Sequence, residues 1–488
     1  MPLVLFDTAR GTKENFSPRN PRAVRVYSCG PTVDAQKHLG DLRPYVVLDV
    51  LKRRLAGLGA SVGHVMNITD FGHRTDDGDA GEDRVERTAR RAGRTVPETV
   101  EHFTRLYRRD LYLLRVQEPT VWAKASEHIV EQVAMIRALE ARGLTYRTKD
   151  GLYFDTRRDP RYGRFPHVTG RGKVPLRVVD GSKRESSDFA VWKFAADALP
   201  GQTAWDSPWG RGFPGWHIEC SAMAATHLGS EIDLHTGSVD HIHAHHENEA
   251  AQSEHALGVS SWVRHWLHVE SVTARVPGGA EPSFAPMSAF RGNACTLDDA
   301  LARGISPRVC RLFLLGTHYR RPARFTWEGL EARERGYDQL VELVRNLDAS
   351  RRGPKLRAAA PLLRQFEDAI DDDLDTPKAL SLLFRTLHHP DIAPGDKLDL
   401  VTEMDGVLAL DLVATAARKS DEARTFTPAV MRLVEERNLA QAARDLARMD
   451  AIRLELNLLG FRVEDHAEGT RIRAERAGAT NPASRGAS

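Results

Sequence analysis

The stretch from residue 24 to 70 limits what this chain can fold into more than any other. VRVYSC is a short β-prone run and GPTVDAQKHLGDLRP a turn-rich loop; YVVLDVLKRRLAGLGA has apolar residues at helical spacing and meets glycine near its end; VGHVMNIT is β-prone again. A strand, a helix and a second strand in this order make a crossover unit, which sets the two strands parallel. Parallel strands need cover on both faces, so the expectation is an α/β domain.

Further along, residues 83–145 read as charged amphipathic helix. GLYFDTRRDPRYGRF and DFAVWKFA alternate with Gly, Pro and charge, as a smaller β-containing insertion would. The sheet pattern resumes at EIDLHTGSVDHI (231–242) and WVRHWLHVESV (262–272). From about 330 to 460 the chain reads as helical, with a polar linker near 415–427. The expected organisation is a parallel-sheet domain built from 1–120 and 206–275, an inserted α+β subdomain at 121–205 and a loop region at 276–330. An all-α helical bundle at 331–415, a small C-terminal unit at 428–475 and a disordered tail at 476–488 follow.

Composition excludes several classes. No run approaches the roughly 20 apolar residues of a membrane span, and MPLVLFDTARG lacks a signal-peptide pattern, so the expected location is the cytoplasm, with no membrane partner. A net charge of +2 gives no global basic field, so any nucleic-acid footprint must be local. The 4 cysteines form no CxxC pair; they are no disulfide scaffold, but leave room for a metal site assembled by folding.

Two constellations carry chemistry. Cys29-Gly30-Pro31-Thr32 runs into His38-Leu39-Gly40-Asp41 where a strand ends and a helix begins. Free N–H groups and the helix dipole make such a place a phosphate cradle, although strand-turn-helix units with Gly and His also occur without nucleotide. GFPGWHIECSAM (212–223) carries Cys220, and DLHTGSVDHIHAHHENEAAQSE (233–254) carries His245 and Glu249, four apart and so on one helix face. Two thiolates, an imidazole and a carboxylate are the right types for zinc; a His-rich surface loop with two buried cysteines is the alternative.

Taken in order, CGPT, HLGD-LRP, NITD (67–70), PGWHIECSAM, HTGSVDHI, HHENE-AQSE and LLGTHYRRP (314–322) resemble the cysteinyl-tRNA synthetases, a family of class I aminoacyl-tRNA synthetases. The resemblance runs from about residue 20 to DDDLDTP (371–377) and on through NLAQAARDLARMDAIRLELNLLGF (438–461). It implies a Rossmann-like class I catalytic domain, a connective insertion, a tRNA-binding bundle and an anticodon-binding-like terminal unit. By the same resemblance Cys29, Cys220, His245 and Glu249 hold one Zn²⁺ that binds the substrate thiolate, and Gly30, Thr32, Thr69, Trp216 and His217 form the amino-acid pocket. His38, Gly40 and Asp41 match the family's HIGH signature, and His38, Gly40, Gly237 and Asp240 face ATP, which enters with Mg²⁺. Asp41 departs from the usual imidazole or amide; at a helix N-terminus it reads as a cap, and it would repel a phosphate it faced. The implied activity is ATP-dependent formation of cysteinyl-adenylate and transfer of cysteine to tRNA(Cys) by a monomeric ligase of protein biosynthesis.

One element departs further. The family's KMSKS loop, whose lysines meet ATP phosphates, aligns with Pro286-Met287-Ser288-Ala289-Phe290. Met287 and Ser288 remain as catalytic-loop candidates and both lysines are absent. An ammonium about 4 Å from a phosphate is worth a few kcal/mol at an effective dielectric of about 20, and Arg275 and Arg291 are the nearby candidates to substitute. Three readings follow: a cysteine-charging synthetase with a weakened loop, a cysteine-activating ligase redirected to a small amine, and a non-catalytic paralogue that binds cysteine or tRNA.

Overall fold

A computed structural model describes residues 2–71, 82–165, 183–195, 203–278, 283–350, 359–421, 428–459, 461–466 and 469–474. The tail expected at 476–488 lies outside the described residues. At the centre is a five-stranded sheet of β1 (Ala23–Ser28), β2 (Ser61–Ile68), β3 (Val121–Lys124), β4 (Ile232–Ser238) and β5 (Val263–Val269). All its pairings are parallel, and the spatial order is 3-2-1-4-5. That is the doubly wound Rossmann order, in which the crossovers reverse direction between β1 and β4 and open a crevice at the strands' C-terminal ends.

The crossover from β1 to β2 is the helix Leu39–Gly57. His38 is its N-cap. The His38 ring accepts from the Asp41 N–H at 3.1 Å and the Asp41 carboxylate accepts from the His38 N–H at 3.1 Å, a reciprocal capping box that satisfies two otherwise orphaned donors. The structure therefore puts Asp41 in the capping role. One turn on, Arg43 is fully buried and donates to the carbonyls of Glu270, Arg321, Thr317 and His318 at 2.7–3.1 Å. It ties this helix to the chain leaving β5 and to the LLGTHYRRP turn.

Two strands fall on the other side of the expected boundaries. Val121–Lys124 lies within the stretch assigned to the insertion, yet it completes the parallel sheet beside β2. Gly212–Pro214 lies outside that stretch, yet it closes the insertion's four-stranded antiparallel sheet with Thr145–Arg147, Gly151–Phe154 and Phe189–Phe194. Short strands such as these have no periodicity to mark which sheet they join. The helical stretch expected over 83–145 is also divided: Gly93 ends Arg84–Ala92 in the left-handed region, and Thr95 with Glu98 caps the next helix, Val96–Leu113.

The helices Trp327–Arg345, Ala359–Asp371, Thr376–His388, Pro394–Leu408 and Leu412–Asp421 share one apolar core with the helix Leu39–Gly57. The last of them occupies the first half of the stretch read as linker. Buried ion pairs cross the same seam: Arg311–Asp49 at 2.6 Å and Arg54–Asp371 at 2.8 Å. In DDDLDTP the first three acids diverge, Asp371 to Arg54, Asp372 to Lys13 and Asp373 to Arg320. The terminal unit packs two helices, Pro428–Ala442 and Leu446–Leu458, on the hairpin Phe461–His466 and Gly469–Ala474. Among the described residues no helix is long and apolar enough to cross a membrane.

Candidate active site

The cleft lies where the fold predicts a ligand, at the ends of β1 and β4, and has a volume of about 300 Å³. Beyond β1 the chain passes so close to β2 that a Cβ on Gly30 would stand 1.7 Å from the Asn67 carbonyl oxygen; glycine is required there. The Gly30 N–H donates to the Asn67 side chain at 2.7 Å, and Thr32 and Thr69 are bridged backbone to backbone. Thr69 Oγ1 receives the Asn67 amide at 3.0 Å and donates to Glu219 at 3.4 Å. Gly30, Thr32, Thr69 and Trp216 all line the cleft.

At one end stand four buried donors. Cys29 directly follows β1, Cys220 lies on the helix Trp216–Leu228, His245 on a π-helical turn (Ile242–His246) and Glu249 on the helix Glu247–Leu257 that continues it. A π-turn inserted into a helix often marks a functional site. The ligating atoms all lie within 4.8 Å of one another. Burial works against the Glu249 carboxylate, but His245 and His235 hold it at about 2; burial likewise opposes the His245 cation, but Glu249 lifts it to about 9. Burial would raise the Cys220 thiol, yet the Cys29 contact and His245 bring it down to about 6, whereas burial and the neighbouring Cys220 and Glu249 push Cys29 well up. A buried anion-rich set of two sulfurs, an imidazole and a carboxylate is compatible with zinc. Its fit is seen in His245 Nε2, buried and without a hydrogen bond.

His217, expected in the pocket, stands behind it. It is buried, contacts His245 Nδ1 at 2.9 Å through its own Nδ1 and is held at Nε2 by the Asn248 amide at 3.0 Å. Trp216 stacks on the His245 ring with centroids 4.2 Å apart. Sequence reasoning missed a second set: His235 and His246 also gather on Cys29 and Glu249, and His268 meets His246 at 2.6 Å. Burial, with the neighbouring histidines, drives His246 and His268 well below the usual imidazole range, which keeps them neutral. The signal available was His235 on β4 and His268 on β5, both in stretches already marked as strands.

At the other end are His38, Gly40, Asp41, Gly237 and Asp240. Because His38 Nδ1 accepts the capping bond, its Nε2 carries the N–H in the neutral ring. A Cβ on Gly40 would come within 3.0 Å of the His38 ring, and one on Gly237 within 2.8 Å of His241 and His246. Lys37 and Asp34, paired at 2.9 Å, also line the cleft, as does Arg84.

The segment at the KMSKS position forms a strap across the cleft. Phe284–Pro286 pairs antiparallel with Val272–Arg275, and the Met287 N–H reaches the Val272 carbonyl at 2.9 Å. The Asn293 side chain accepts from the Ser288 N–H at 2.8 Å and donates to the Ala274 carbonyl at 3.2 Å. Pro286 and Met287 line the cleft; Ser288 does not. Phe290 is 98% exposed. Arg275 and Arg291, the expected substitutes for the lysines, are exposed and do not line it.

The sheet order, the capped helix N-terminus and the strap define a class I aminoacyl-tRNA synthetase. Comparisons agree at two levels. Solved structures that share the fold include the Mycobacterium tuberculosis methionyl-tRNA synthetase in complex with methionyl-adenylate, at TM-score 0.53 and 15% identity over 81% of this chain and 90% of that one. Another is the Agrobacterium radiobacter K84 LeuRS–tRNA–LeuAMS ternary complex, at 0.56 and 11% over 85% and 87%. The family profile described as tRNA synthetases class I (C) catalytic domain matches residues 15–335. "Cysteine--tRNA ligase 1" of Burkholderia lata is 40% identical over 484 residues, 99% of each chain, and a "Cysteine--tRNA ligase" of Thermus thermophilus is 39% identical over 497, 98% of this chain and 100% of that one. The chain belongs to the cysteinyl-tRNA synthetase family.

Proposed function

We propose that this protein is a cysteine--tRNA ligase that activates cysteine with ATP and transfers it to tRNA(Cys), working as a cytoplasmic monomer. One observation carries the reading: the cleft joins a buried soft-donor set at one end to a capped helix N-terminus at the other. Zn²⁺ held by Cys29, Cys220, His245 and Glu249 would take the substrate's thiolate, a contact that serine's hydroxyl matches poorly.

The chain's own residues supply position and charge. Trp216 and Thr69 wall the amino-acid end, and the Gly30 turn lets substrate approach the backbone. His38 Nε2 and the first turn of the helix present N–H groups toward the phosphates of ATP and its Mg²⁺. In this reading the cysteine carboxylate attacks the α-phosphorus, pyrophosphate leaves, and a ribose hydroxyl of tRNA then takes the aminoacyl group. No protein nucleophile is required. Near-complete collinearity with the curated ligases, terminal unit included, favours tRNA over a small amine as acceptor and charging over mere binding.

Cysteine-dependent ATP–pyrophosphate exchange by zinc-loaded protein, with serine as control, followed by charging of tRNA(Cys), tests this. Exchange with cysteine and not serine, and charging, are expected. Absence of exchange overturns the reading; exchange without charging replaces tRNA with another acceptor.

A further inference from the structure

The strap brings no cation to the cleft, so the phosphates must meet positive charge from elsewhere. Among the described residues lining the cleft, Lys37 is the one lysine and Arg84 the one arginine, while Asp34, Asp41 and Asp240 add carboxylates. A polyanion entering such a cleft depends strongly on each cation present.

We propose that Lys37 is the residue that contacts and neutralises the ATP phosphates in this protein, in place of the strap's missing lysines; this rests on the ligase reading above. Lys37 directly precedes His38, so its ammonium emerges beside the helix N-terminus that presents its N–H groups to the same ligand. The loop that carries it is fixed from outside: Gln36 donates to Asp298 at 2.9 Å, and Asp298 is held in turn by Arg109 at 2.8 Å. The Lys37 side chain is only 15% exposed and is held at 2.9 Å by Asp34, a cleft-lining partner of single charge. A triphosphate offers more negative charge and more acceptors than that one carboxylate, and the flexible lysine stem lets the ammonium move to it without moving the backbone. Arg84 opens the helix Arg84–Ala92 on the segment after β2 and is not adjacent in sequence to the His38 cap. During adenylate formation the Lys37 ammonium donates hydrogen bonds to phosphate oxygens as charge builds on the departing pyrophosphate; it keeps its protons and forms no covalent bond.

The test uses zinc-loaded full-length protein and compares wild type with Lys37→Met, Lys37→Arg and Lys37→Met combined with Pro286→Lys. Binding of ATP and of adenosine and cysteine-dependent exchange are measured. Lys37→Met is expected to lower kcat/KM for ATP by at least about tenfold while adenosine binding, the KM for cysteine and zinc content stay within about twofold. Lys37→Arg, and Pro286→Lys in the Met background, each restore part of the loss. An Lys37→Met protein whose kcat/KM for ATP stays within about twofold of wild type, or one that loses adenosine binding as fully as ATP binding, overturns the proposal. Should wild type show no exchange at all, the ligase reading fails separately, and the preference for ATP over adenosine in binding still decides the role of Lys37.

Discussion

His245 Nε2 lies 2.9 Å from Glu249 Oε1 without a hydrogen-bond alignment between them. Two buried polar atoms converge in this way when a third partner belongs between them, and Cys29 and Cys220 close the other sides. Cys220→Ser is therefore expected to lose bound zinc, measured by atomic absorption after dialysis. Full zinc retention in that variant would contradict the site. His217 does not itself line the cleft but orients the His245 ring from behind, so His217→Ala should weaken zinc by about 10–100-fold without removing a ligand, as read by competition with a chelator.

The strap gives different weight to its two lost lysines. Position 286 lines the cleft, whereas Ala289 is exposed and off its wall. Pro286→Lys should raise the cysteine-dependent exchange rate by about tenfold, and Ala289→Lys by much less. Equal gains from both would mean that the strap shifts inward when ATP binds.

Asp41 separates capping from catalysis. Asp41→Ala removes one half of the capping box and should cost about 0.3–1.5 kcal/mol of stability in thermal or urea unfolding. Asp41→Asn keeps an acceptor for the His38 N–H and removes a negative charge from the cleft. Its KM for ATP should therefore fall while its stability stays close to that of wild type.

Where the terminal unit meets the helix Val96–Leu113, burial raises the Glu435 carboxyl from its ordinary 4.5 to about 8; Arg109 opposes the shift, and Asp110, Asp298 and Glu436 add to it. The folded chain thus holds this proton more tightly than the unfolded one between those values. Stability of the docked unit must fall as pH rises from about 4.5 to 8. Glu435→Gln should flatten that dependence and stabilise the unit at pH 8 by about 1–2 kcal/mol, followed by hydrogen exchange in the helix Pro428–Ala442. A steeper dependence in the glutamine variant would reverse the assignment.

The crossover unit and the capping role of Asp41 were legible because each depends on local pattern, whereas Cys29, Cys220, His245 and Glu249 lie too far apart in sequence for spacing to join them and were grouped through the family resemblance. The family resemblance puts His217 in the pocket together with Trp216, but consecutive residues on a helix point about 100° apart, which sends His217 behind His245. His235 and His268 come together through the pairing of β4 with β5, and His246 joins them from the π-helical turn after β4, a convergence that no local pattern reveals. Arg437 could have been read as part of a solvated stripe. It is instead fully buried, donating to the Met449 carbonyl and to Thr470, and so holds the terminal helices to their hairpin. Long-range pairing of a charged residue leaves no trace in helical periodicity.

The strap is pinned near its base, by strand pairing at 284–286 and by the Asn293 amide beneath Ser288. The place of Met287 is therefore set from both flanks, by Val272–Arg275 on one side and by Asn293 on the other. A single-residue deletion between Met287 and Asn293 would break the register that holds Met287 on the cleft wall.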